Sequence, residues 1–330
     1  ARIGDYVWVD ANGNGVQESG EAPLPGVSVQ IYRASDNAQM GSDTTDANGA
    51  WEVGGLLPGT YHVKFTAPSG YGFSPADQGG NDGQDTDANP STGQTGNYTL
   101  TVGQYNQTVD AGLYQPASIG DYTWVDANGD GVQNSGEPPL PGVLVEVYRT
   151  SDNALMDSDT SGASGAWNVS GLAPGTYYVK FTLPGGYSFT SADAGSDTAD
   201  SDANPGTGQT GNYTLVSGET NQSVDAGAVW YDFADLPDTG SGTGAGNYQT
   251  LLADGAPYHN ISLGALYLGA AVDPEADGQP NATANGDDLA AQDDEDGVVL
   301  PVFTAGQTAT IQITSSDGGY VNAFIDWNGD

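Results

Sequence analysis

The chain contains no cysteine, which excludes a disulfide framework as the source of its stability and a thiolate as the carrier of any chemistry. Basic residues are nearly as scarce, with five Lys and Arg against 43 Asp and Glu and a formal net charge of −38. Phosphate backbones are held by Lys and Arg, so nucleic acid is excluded as a partner, and anionic membrane surfaces are disfavoured on the same ground. No run of about eighteen apolar residues occurs, so no membrane insertion is predicted in this segment. Histidine is present only twice, and His62 gives way to Tyr178 in an internal repeat. Among so many carboxylates no spacing singles out an acid–base pair, so the chain is read as not an enzyme.

Turn residues and oxygen donors are what the sequence has in quantity. Fifty glycines and 18 prolines in 330 residues are too many for helices and suit short strands joined by tight turns. Two stretches spell the same twelve-position pattern, D-x-[DN]-x-[DN]-G-x5-E, which is a calcium loop. The first offers Asp10, Asn12, Asn14, the carbonyl of Val16, Glu18 and Glu21, and the second offers Asp126, Asn128, Asp130, the carbonyl of Val132, Asn134 and Glu137. Calcium takes six to eight oxygens, and this spacing supplies them from positions 1, 3, 5, 7, 9 and 12, with glycine at position 6 where the chain turns sharply. Calcium (Ca2+) is therefore the expected cofactor. Three acids occur in each loop but in different places, and position 5 ligates directly where position 9 often acts through water. The second loop, with Asp130 at position 5, is expected to bind more tightly than the first, with Glu18 at position 9.

The flanks of these loops are not helical. Ile3, Asp5, Val7 and Val9 alternate with Gly4, Tyr6 and Trp8 ahead of the first loop, and Val27, Val29 and Ile31 alternate with Ser28 and Gln30 after it. Both patterns have the period of a strand. A loop between strands has no helices to swing apart, so a rigidifying staple is expected rather than a sensor. Ile3, Trp8, Trp51 and Lys64 recur 116 residues later as Ile119, Trp124, Trp167 and Lys180. The offset falls to 115 by the pairs Asp87 and Asp202, Asp110 and Asp225, which places a one-residue deletion in an acidic loop, where indels are tolerated. Evenly spaced short strands in a domain-sized repeat predict an all-β fold of tandem sandwiches. The expected domains are 1–115, 116–229 and 230–330.

The residues Ile3-Gly-Asp-Tyr-Val-Trp-Val-Asp10, Leu24-Pro-Gly-Val27, Gly59-Thr-Tyr61 and Asp110-Ala-Gly112, with their second copies from Ile119 to Gly227, resemble the SdrD B-like (B-type) repeats of serine-aspartate repeat adhesins. The resemblance implies calcium-dependent immunoglobulin-like (B-type) β-sandwiches strung as a stalk, and more than one calcium per repeat. From Tyr231 the chain resembles the GEVED domain of secreted bacterial proteins, through Asp232-Phe-Ala-Asp235, Asp293-Asp-Glu-Asp-Gly297 and Asn322-Ala-Phe-Ile-Asp326. That resemblance implies an extracellular β module.

Further acids are candidates for metal. Asp77, Asp82, Asp85 and Asp87 crowd one short loop, and Asp193, Asp197, Asp200 and Asp202 mirror them. A second calcium site is expected in each, the alternative being a merely solvated acidic loop. Asp5 and Asp110, with Asp121 and Asp225, either complete a site or cap a turn. Asp326, Asn328 and Asp330 repeat the opening positions of the calcium loops at the end of the chain, so the sequence is expected to be a fragment of a longer array with a truncated third module. The expected function is a calcium-stabilised stalk or adhesin segment, secreted or at the cell surface, with an unknown host or matrix ligand. One alternative is a subunit that assembles with like subunits into an extracellular filament or surface layer, and another is an accessory ligand-binding module of a secreted enzyme. Adaptation to high salt is the competing explanation of the acidity.

Overall fold

The computed structural model describes residues 1–233, 258–260, 298–299, 302 and 307–315. Every regular element among the described residues is a strand. In the first repeat these are β1 (Arg2–Val9), β2 (Ser28–Arg33), β3 (Gln39–Thr44), β4 (Ala50–Val53), β5 (Gly59–Thr66), β6 (Gly72–Phe73), β7 (Gln94–Leu100), β8 (Tyr105–Asn106) and β9 (Ala111–Tyr114). One sheet runs β4-β1-β9-β6 with β8 also against β1, and the other runs β3-β2-β5-β7. β1 is shared along its length: its first half pairs antiparallel with β4, Ile3 opposite Val53, and its second half pairs parallel with β9, Val7 opposite Ala111. Because β9 closes the repeat, that parallel pairing stitches the start of the domain to its end.

Alternating apolar residues of the two sheets meet in one core. Ile3 and Val7 from β1 face Val29, Ile31, Val63 and Phe65 from the second sheet, all at most 1% exposed. The Trp51 ring stands edge-on to Phe65 at 5.5 Å and 88°, an arrangement that adds about 0.5–1.5 kcal/mol to the area term. The alternation of β1 breaks at Gly4, buried beside Ile3, and at Trp8, which is as fully buried as Val7. Its ring is covered on the outer face by Gly112, where a Cβ would lie 2.8 Å from the indole. Burial on both faces at the loop end of β1 is the physical reason that a simple period of two fails there.

The second repeat rebuilds the same sandwich with β10 (Ala117–Val125), β11 (Leu144–Arg149), β12 (Ala154–Thr160), β13 (Ala166–Leu172), β14 (Gly175–Thr182), β15 (Tyr187–Phe189), β16 (Gln209–Leu215), β17 (Thr220–Asn221) and β18 (Ala226–Phe233). Trp167 stands on Phe181 at 5.5 Å and 87°, and the two hydrophobic cores share no residue. His62 stacks on Tyr32 at 5.4 Å, and Tyr178 stacks on Tyr148 at 5.2 Å, so the histidine does the work of a ring. Lys64 and Lys180 are exposed on their strands.

Only Gln115 and Pro116 separate β9 from β10. The stretch 228–231, across the expected boundary between 229 and 230, is strand: β18 continues to Phe233, pairs Trp230 with Tyr187 and Tyr231 with Asn260 of β19 (Tyr258–Asn260). Beyond it only a small ladder is described, β20 (Val298–Val299) against β21 (Gln312–Ile313). Asp326, Asn328 and Asp330, and the acids assigned to a third module, lie outside the described residues.

Candidate metal centres

Both twelve-residue loops leave the end of the first strand of their sandwich, and each is wound around a buried aspartate. The Asp10 amide donates to the Leu113 carbonyl at 2.8 Å, and its side chain is 0% exposed. One carboxylate oxygen accepts the amides of Gly13 at 2.7 Å and Asn14 at 3.3 Å, and the other accepts the Gly15 amide at 2.7 Å. Gly15 has φ of 80°, and a Cβ there would fall 2.2 Å from the Pro75 carbonyl oxygen, so position 6 admits glycine alone. The Asn12 and Asn14 side-chain amides donate to Glu18 at 2.7 and 3.1 Å, while Glu21 accepts the amides of Ala11 at 2.8 Å and Glu18 at 2.9 Å. Positions 1, 3, 5, 9 and 12 are thus drawn together.

The second loop keeps the hub and moves the charge. Asp126 is 0% exposed and accepts the Gly129 and Gly131 amides, each at 2.8 Å. Asn128 and Asn134 now donate to Asp130, at 2.8 Å and at 3.0 to 3.1 Å, and Glu137 accepts the Ala127 and Asn134 amides at 2.9 and 2.7 Å. The Val132 amide, with the Asn128 and Asn134 side chains, holds the Asp130 carboxyl below its ordinary range. Burial pushes Glu137 and Glu21 up, against the amides that each accepts. Thr190 donates its hydroxyl to Asp126, whereas the buried hydroxyl at the equivalent Ser74 has no partner. These second-layer hydroxyls lie far from the loops in sequence, and only the repeat register could have marked them.

Residues 1–113 and 117–228 match the family model described as SdrD B-like domain. The chain belongs to the SdrD B-like domain family. It is 36% identical over 228 residues to serine-aspartate repeat-containing protein F of Staphylococcus epidermidis, covering 68% of this chain and 12% of that protein. It is 36% identical over 238 residues to serine-aspartate repeat-containing protein D of Staphylococcus aureus (strain MW2), covering 70% and 17%. The chain therefore spans a small part of the length of these relatives. A streptococcal ancillary pilin aligns at 16% identity over 69% of this chain and 62% of the pilin, with a TM-score of 0.29.

In each SdrD B-like domain the acidic loop divides into two parts. Asp85 and Asp200 are 7% and 4% exposed and form isolated antiparallel bridges to Val16 and Val132, the position-7 residues. The Thr86 amide donates to Gly15 at 2.9 Å and the Ser201 amide to Gly131 at 3.1 Å, so this loop buttresses the twelve-residue loop. Asp77 and Asp193 sit beside it in the left-handed region, with φ of 55° and 52°, and Asp82 and Asp197 are exposed. Burial and then the charges of Asp82 and Asp77 raise the Asp85 carboxyl.

Asp87 and Asp202 face elsewhere. Asp87 accepts the Tyr98 hydroxyl at 2.6 Å and the Asp110 amide at 2.7 Å, and Asp202 accepts Tyr213 at 2.8 Å and the Asp225 amide at 2.7 Å. Asp110 and Asp225, each 1% exposed, accept the amides of Tyr6 and Tyr122 at 3.0 Å through one oxygen. Their other oxygens have no hydrogen-bond partner. Burial, followed by the charges of Asp5 and Asp87, pushes Asp110 up to about 9, and burial with Asp121 and Asp202 pushes Asp225 up to about 8. Asp87 rises to about 7 and Asp202 to about 6, also chiefly by burial.

The donor chemistry of the two loops is oxygen throughout, which fits a hard divalent cation and not a thiophilic one. Among the described residues no three His, Cys, Asp or Glu side chains form a ready-made metal cluster. The asparagine amides and the position-7 carbonyls would have to complete the shell, as this loop type requires.

Proposed function

We propose that this chain is a calcium-stabilised structural segment of a secreted or cell-surface protein, holding other parts of that protein apart as a stalk, with no catalytic role. The observation that carries this reading is the pair of fully buried carboxylates, Asp10 and Asp126, each at the hub of an oxygen-lined loop fixed between a first strand and the body of its sandwich. Membership of the SdrD B-like family and the kinship with serine-aspartate repeat-containing proteins support it. A buried acid in this setting, bound by a divalent ion, converts a repulsive cluster into a cross-link. The ligands come from the end of one strand and from the loop that leads to the next, so the cross-link stiffens the domain rather than moving it.

The two-residue connection between β9 and β10 fits a spacer, because a linker of that length lacks the reach of a flexible coil. Small-angle scattering of the chain tests the proposal: an extended, stiff profile in millimolar calcium and a swollen, flexible one in excess EGTA are expected. A profile indifferent to calcium would sink it. Electron microscopy of the same samples separates a passive spacer, seen as single rods, from an assembling subunit, seen as calcium-dependent fibres.

A further inference from the structure

The first metal loop touches the second domain. The carbonyl of Ala11, between ligand positions 1 and 3, accepts the Ser217 amide at 2.8 Å. The Ser217 hydroxyl in turn accepts the amide of Gln115 in the connection at 2.9 Å, and the Gly218 amide donates to the Gln115 carbonyl at 2.9 Å. Gly13, with φ of 69°, lies so close to Pro174 that an added Cβ would stand 3.1 Å from its ring. Four points of contact thus join the loop and connection to the second sandwich.

We propose that the loop of the first domain is both a calcium site and the socket into which the second domain locks, so that ion binding and docking are one coupled event. This rests on the calcium reading above. The coupling runs through one residue: the Ala11 amide is held by Glu21 at 2.8 Å, the position-12 ligand, while its carbonyl is held by Ser217 at 2.8 Å. An ion that draws in Asp10, Asn12 and Glu21 fixes the peptide unit on either side of Ala11 and presents the one that carries the Ala11 carbonyl to the second domain. A docked second domain orders the same peptide before the ion arrives, so the entropy of ordering is met once for two events. Such coupling is reciprocal, each event strengthening the other by the same factor.

The docking turn is specific to the second domain. The counterpart of Ser217 in the first domain is Val102, which is 85% exposed, whereas the counterpart of Pro174 is again proline, Pro58. The second domain thus carries a polar residue whose amide and hydroxyl both bond across the junction, where the first carries a solvent-facing valine.

Ser217 occupies the second position of a four-residue turn closed by the Glu219 amide on the Val216 carbonyl at 3.1 Å, with Gly218 at φ of 75°. That is the type II geometry, which favours proline at the position of Ser217. Ser217→Pro therefore suits its own turn and removes both the amide and the hydroxyl used at the junction. The amides of Gly15 and Gly131, bonded to Asp10 and Asp126 at 2.7 and 2.8 Å, are separate reporters of the two loops in one calcium titration of the full chain by ¹⁵N NMR. In Ser217→Pro the Gly15 midpoint is expected to move to about fivefold higher calcium or more, in the range of ordinary coupling factors, while Gly131 stays in place as the control for an intact second domain. Both glycines responding to calcium, with the Gly15 midpoint unchanged in the variant, would overturn the coupling alone. Neither glycine responding in the wild-type chain would overturn the calcium reading and the coupling together.

Discussion

Asp10 illustrates how much of the structure turns on single carboxylates. Its three amide bonds organise the first loop, and charge-assisted bonds of this kind contribute about 1.5–3 kcal/mol each. Asp10→Ala is expected to cost at least about 3 kcal/mol, measured by denaturant unfolding, and to abolish the calcium response of the Gly15 amide. Gly112 supplies a contrasting test. Gly112→Ala drives a methyl into the Trp8 ring and the Thr86 hydroxyl at 2.8 and 2.9 Å, an overpacking worth about 1–3 kcal/mol. Because the clash is independent of any ion, the loss should be equal in calcium and in EGTA. A loss that calcium reverses would show that Gly112 belongs to the site. The motif Asp110-Ala-Gly112 was visible in the sequence, but its two reasons were not, since they depend on a ring and an amide more than a hundred residues away.

At the scale of the element, the two twelve-residue loops and the acids beside them make separable predictions. The second loop gathers its asparagines on Asp130, a direct ligand position, and the first gathers them on Glu18, a position that often ligates through water. The second is expected to fill at lower calcium, read as an earlier midpoint for Gly131 than for Gly15; the reverse order would refute the assignment. The buried acids set a pH dependence in chelated protein. Asp202, Asp87, Asp225 and Asp110 hold their protons up to about 6, 7, 8 and 9 in the folded chain, against about 4 in an unfolded one. The folded state therefore binds more protons than the unfolded state across that window, and stability falls as pH rises from about 4 to about 9. Thermal melts in EGTA should show this decline, and Asp110→Asn should flatten it. The two loops stood out in the sequence because both repeat one twelve-position pattern, whose service in coordination is the proposal made above. The split of Asp77, Asp82, Asp85 and Asp87 into a buttress and a separate buried pair did not, because it is set by bridges from Asp85 to Val16 and from Asp87 to Tyr98 that no local pattern encodes. The path of β18 through the expected boundary at 229 escaped for a similar reason: Trp230 is strand because Tyr187 lies opposite it.

Across the whole molecule, a net charge of −38 opposes compaction, and among the described residues two separate cores of modest size resist it. Extracellular calcium modules bind at about 0.1–1 mM, and an ion at a hundredfold excess over its dissociation constant adds about 2.7 kcal/mol per site. Against the roughly 5–15 kcal/mol of an ordinary domain, one such site in each sandwich is a large share of its stability. The tandem of sandwiches followed from the 116-residue repeat, and the all-β architecture from alternation and turn chemistry. The measurement that tests the central claim most directly is a thermal melt of the full chain, followed by tryptophan fluorescence, in calcium at about a hundredfold excess over the dissociation constant and in excess EGTA. A melting temperature lower by about 10 °C or more in EGTA is expected from one site per domain. Identical melts would contradict the calcium staple and leave the acidity to be explained as adaptation to salt.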